Sequence, residues 1–169
     1  MRKVLKVIDT VNANLGQFVK WMVVAAILVI CLQVVMRYGF GRAQMWTYEL
    51  PIQIAACMYA LSWGYVLLIK GHARVDIIYT RFSERGRAII DSVCFLGLFV
   101  PVVGFLTLMS YRWMIRAFDI GERTVFTYLY WPAQPLRTII FIGILLFFIQ
   151  GLAQFYRDVY LVVKGVKYD

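Results

Sequence analysis

Charge is scarce in this chain: only 16% of its 169 residues are Asp, Glu, Lys or Arg, against about a quarter in an ordinary soluble domain, and 62% are hydrophobic. A surface facing water needs charged residues to cover it, yet here they gather in a few clusters. A disordered chain and almost any soluble enzyme are thereby excluded. Cysteine is scarce too. Cys31, Cys57 and Cys94 form no C-x-x-C pair, which argues against a disulfide scaffold and against a thiol oxidoreductase. The single histidine, His72, cannot supply the axial ligands of a multi-haem cytochrome, so no cofactor, metal site or catalytic group is expected. Nor is there a Ser/Gly/Pro-rich linker, a low-complexity tract or an internal repeat, and residues 1–169 read as one membrane domain.

What the sequence has instead is four long uncharged runs, Trp21–Met36, Leu50–Ile69, Ser92–Tyr111 and Thr138–Tyr156. At about 1.5 Å rise per residue, some 20 residues cross the roughly 30 Å hydrocarbon layer. The first run reaches that length by extending back to Gln17 while Lys20 snorkels to the interface. The expected fold is therefore an all-α integral membrane protein with spans at about 17–36, 50–69, 92–111 and 138–156. A cleaved signal peptide does not fit, because Val34-Val35-Met36-Arg37 offers no small-residue cleavage site. Val4, Val7, Ile8, Val11, Leu15 and Phe18 recur at helical spacing, so residues 2–18 predict an amphipathic lead-in on the membrane surface. Val75, Ile78, Tyr79 and Phe82 likewise predict a membrane-parallel helix between spans two and three, with Ser83 as a candidate N-cap for the third span.

Basic residues set the orientation. Twelve (Arg2, Lys3, Lys6, Lys20, Lys70, Arg74, Arg81, Arg85, Arg87, Arg157, Lys164, Lys167) lie on the side of the termini and six (Arg37, Arg42, Arg112, Arg116, Arg123, Arg137) on the other. By the positive-inside rule both termini are cytoplasmic. The net charge of +9 is then explained by phospholipid headgroups and requires no nucleic acid.

No Asp, Glu, Lys, Arg or His falls inside the four runs, although ion-coupled carriers commonly line their pathway with such residues. Gln33, Gln53, Ser62, Thr107, Ser110, Gln150 and Gln154 are the polar groups within them, expected to hydrogen-bond between helices. Pro101, flanked by Gly97 and Gly104, predicts a kink in the third helix. Specific chemistry is confined to the borders. Arg37 and Glu49 stand at the two ends of the first hairpin, where they form either an ion pair or two separately solvated charges beside the aromatic anchors Tyr38 and Trp46. His72 and Asp76 are four residues apart, a spacing that could serve acid–base chemistry but more often marks a solvated loop pair. An anchor subunit of a bacterial inner-membrane enzyme complex is the alternative function this pair keeps open.

The order Arg37-Tyr38-x-Phe40, Trp46-x-x-Glu49, Gly71-His72-x-x-Val75-Asp76 and Trp131-Pro132-x-x-Pro135 resembles the small membrane subunit of tripartite ATP-independent periplasmic (TRAP) transporters, the DctQ-like proteins. The likeness covers about residues 15–156. Relatives often carry two acidic residues after the first-loop tryptophan, whereas here Tyr48 precedes a single Glu49. The resemblance implies a division of labour in the bacterial inner membrane. A periplasmic binding protein captures an organic anion, a large subunit moves it with sodium, and the small subunit braces the large one. It makes Arg37, Trp46, Glu49, His72 and Asp76 candidate hairpin or subunit contacts, and Arg42 and Arg123, each several residues beyond its span, either anchors for lipid headgroups or candidates for docking the binding protein.

Overall fold

The computed structural model describes residues 2–42, 44, 46–71, 84–124 and 130–165. α1 (Arg2–Val34) continues into a π turn (Val35–Gly39), and α2 (Trp46–Leu68) follows the first loop. α3 (Glu84–Cys94), a second π turn (Phe95–Phe99) and α4 (Val100–Asp119) run on as one long rod, and α5 (Gln134–Lys164) closes the chain. Four helical stretches are long and apolar enough to cross a membrane. Helices are the economical solution for such a sequence, because a lipid layer offers backbone N–H and C=O groups no partner outside the segment itself.

Each helix begins before the span read from charge alone, for residues just outside the hydrocarbon layer keep their helical bonds. The lead-in is helical but is not a separate surface element. It enters the first span without a break, since residues 2–34 contain no proline and their one glycine, Gly16, lies against the ring of Tyr65. The membrane-parallel helix expected around Val75–Phe82, with its cap Ser83, lies outside the described residues.

α2 lies between α1 and α5, and α5 also packs against α3 and α4. The crossings depend on small residues. A Cβ placed on Gly143 would stand 2.5 Å from the Ala60 carbonyl oxygen, so α2 and α5 approach backbone to backbone. At the α1–α2 crossing Gly64 admits the side chain of Asn12, and on α5 Gly151 seats the ring of Phe99. Without a hydrophobic drive between helices in lipid, such close van der Waals contact is a main source of association energy.

A kink is expected at Pro101; the feature the structure shows there is a π turn, Phe95–Phe99, just ahead of the proline. Proline has no N–H to give to the carbonyl one turn back. The helix widens there, with the Val100 N–H donating to Phe95 O, five residues earlier. That widening presents Phe95 and Phe99, stacked at 4.8 Å between centroids, to α5, where Phe95 meets Phe155 at 4.7 Å and Phe99 meets Phe147 at 5.1 Å.

Candidate functional site

At the end of the bundle bearing the first and third loops, Arg137 in the first turn of α5 is 9% exposed. It pairs with Glu122, donates to the Trp113 carbonyl at 3.3 Å and lies 4.1 Å over the Trp113 ring. Burying a guanidinium is costly unless its charge is compensated, and here Glu122 and the Trp113 ring meet the charge while Nη1 and Nη2 each find an acceptor. The chain reaches this geometry because α4 stops sharply. Gly121, at φ +57°, turns the backbone so that Glu122 N–H bonds Ala117 O at 3.0 Å, which aims the Glu122 side chain back at α5. Ala133 N–H then returns to Glu122 O at 2.9 Å, and Arg123 and Pro132 form an antiparallel bridge. Gln134 completes the closure, its amide donating to Ala117 O at 3.2 Å. The third loop is thus clamped at its base to the start of α5.

Nearby, Glu49 is 4% exposed and accepts from the Gln53 amide at 3.1 Å. A cavity of about 270 Å³ lined by Tyr48, Glu49, Gln53, Thr124 and Leu136 adjoins it. Arg37 is exposed and stands 5.6 Å over the ring of Tyr38. The two charges of the first hairpin are therefore held in different surroundings, one buried and one on the surface. Trp46 caps the loop with its indole N–H on Gln44, and Thr47 Oγ1 donates to Gln44 O at 2.6 Å. Arg42 and Arg123 are both exposed. His72 and Asp76 lie outside the described residues.

A second polar cluster joins α1 to α5 at the opposite end. Asn12 and Gln150 are completely buried. Asn12 Nδ2 donates to Gln150 Oε1 at 2.8 Å, Gln150 Nε2 to Asp9 Oδ1 at 3.1 Å, and Arg157 pairs with Asp9. Two polar residues of the lead-in, Asp9 and Asn12, are thus bound to α5. The sequence signal for this cluster is Gln150, an amide inside an apolar run, together with Asp9 and Asn12 off the apolar face of the lead-in. Neither points to its partner more than a hundred residues away. Of the other polar groups in the spans, Ser62, Thr107 and Ser110 do not bridge helices. Each donates to a carbonyl of its own helix, Tyr59 O, Val103 O and Thr107 O, as hydroxyls in apolar helices readily do. Gln53 and Gln154 likewise bond within their helices, to Glu49 and Asp158.

Among the described residues, no three His, Cys, Asp or Glu side chains come together as a metal-binding group. The fold and these two polar ends define a multi-pass helical membrane protein whose charges hold its helices together at the borders. The chain belongs to the family of tripartite ATP-independent periplasmic transporters, DctQ component, whose model matches residues 26–160. It is a component of a transporter, not an enzyme, and membership ties it to the large membrane subunit and the binding protein of such systems. Comparison with curated proteins and with solved structures returned no match.

Proposed function

We propose that this chain is a fixed wall in the bacterial inner membrane, bracing the large subunit of a sodium-coupled transporter for an organic anion. Residues 1–169 act as one membrane domain with both termini in the cytoplasm, an orientation supported by the twelve-to-six distribution of basic residues. The observation that carries the reading is the placement of charge. The Arg137–Glu122 and Arg157–Asp9 pairs sit at opposite ends of the bundle, and the outer faces between them are apolar, with Leu28, Leu98 and Leu108 each more than 60% exposed. A carrier needs polar groups along its path, whereas a wall needs apolar surface for lipid and for a neighbouring protein. Sodium and solute are therefore handled by the large subunit. Arg42 and Arg123, exposed on the loop side, serve to dock the loaded binding protein, and the other basic residues at the borders contact phospholipid headgroups.

Reconstitution tests this directly. Proteoliposomes holding this chain alone, with binding protein added, are expected to take up no organic acid under a sodium gradient, while the complete set does. Uptake by the small subunit alone would overturn the proposal.

A further inference from the structure

A groove of about 550 Å³ runs along the outer side of α4 and α5, and its lining changes character along its length. Leu106, Met109, Ile140 and Ile144 form the apolar part, and Arg112 and Arg116, one helical turn apart, stand at the membrane border. Both arginines are exposed, and neither is in an ion pair among the described residues. Trp113, between them in sequence, is fixed from behind by Arg137, so the groove wall is rigid at the point where the two charges emerge. From Arg116 to Leu106 the helix rises about 15 Å, the depth to which one acyl chain enters a leaflet.

We infer that this groove is a specific site for one anionic glycerophospholipid, its phosphate held by Arg112 and Arg116 and one acyl chain seated along Leu106, Met109, Ile140 and Ile144. The argument is charge complementarity joined to shape. Two guanidinium groups at the mouth select a phosphate, for which their planar fork of donors is suited. An apolar channel leading from them into the hydrocarbon layer requires the same molecule to carry a chain, which excludes a free anion. The inference deepens the phospholipid contact proposed above, turning a diffuse annulus into a defined site.

Native mass spectrometry of the full-length chain, purified with its accompanying large subunit and titrated with phosphatidylglycerol against phosphatidylcholine, reads the site. One phosphatidylglycerol is expected to be retained preferentially. Retention should fall on the order of tenfold in the Arg112→Gln, Arg116→Gln double variant. It should fall similarly in Leu106→Trp, which fills the channel and leaves both charges in place, and should be unchanged in Arg42→Gln. Undiminished retention in either of the first two variants would overturn the inference. So would displacement of the lipid by millimolar inorganic phosphate, or protection of Leu106 by the large subunit in place of lipid. Co-purification and uptake in the same preparations report on the brace separately, so loss of lipid with intact assembly and loss of assembly itself are distinguishable.

Discussion

At the scale of single residues, the charges of this chain matter most where they are least exposed. Arg137 answers to Glu122, to a carbonyl and to an indole ring at once, while Glu122 keeps about 30% of its side-chain surface. Arg137→Gln and Glu122→Gln should therefore both destabilise, by about 2–3 kcal/mol each, since the first strips three contacts and the second leaves the buried Arg137 guanidinium without its counter-charge. Thermal unfolding of the two variants and of the double variant in detergent measures both values and their coupling. Exposed arginines should behave differently. The Arg42→Glu, Arg123→Glu double variant is expected to assemble normally but to show slower uptake with a weaker salt dependence, because rim charges act mainly on encounter. Uptake against binding-protein concentration at two ionic strengths decides it, and unchanged uptake in a correctly assembled variant would leave these residues only a lipid-anchoring role. Little of the buried set was legible in the sequence. Arg137 reads as one more loop arginine, because nothing local announces that Glu122, 15 residues earlier, will be turned back toward it by Gly121.

At the scale of elements, apolar runs between charges located all four helices, whereas the π turn ahead of Pro101 was not legible, since a proline in a helix announces a kink and not a widened turn. The ends of the helices were not legible either, because charge marks where lipid stops and not where helical bonding stops. The lead-in shows the same limit. Its periodicity identified a helix, but whether the apolar face meets lipid or protein depends on Asp9 and Asn12 finding Arg157 and Gln150, a tertiary fact. Packing between elements yields a sharp contrast among glycines. Gly143→Leu should separate α2 from α5 and cost several kcal/mol, since even a Cβ there meets the Ala60 backbone at 2.5 Å. Gly104→Ala, whose Cβ would meet only the Phe148 ring at 4.0 Å, should be neutral or stabilising by up to about 1 kcal/mol through helix propensity. The yield of folded, monodisperse protein and its melting temperature separate the two cases.

At the scale of the whole molecule, composition and the spacing of charges specified a four-span helical protein, and the ordered border motifs pointed to the family that the match over residues 26–160 establishes. The orientation proposed above rests on the same charges. Reporter fusions at Gly41 and Gly121 should report the periplasm and one at Gly86 the cytoplasm; a periplasmic signal at Gly86 would reverse the arrangement. The central claim is that the bundle is static while its partner moves. Small-residue crossings, stacked rings at the π turn and an ion pair at each end all favour one packed arrangement over two. Cys31 and Cys94 are exposed and Cys57 is buried, so spin labels on the first two, with Cys57 replaced by Ala, report the spacing of α1 and α3 inside the assembled transporter. Pulsed electron resonance should give one narrow distance that is unchanged when sodium, solute and loaded binding protein are added, under conditions where labels on the large subunit shift. A displacement of several ångströms between Cys31 and Cys94 on that addition would contradict the account.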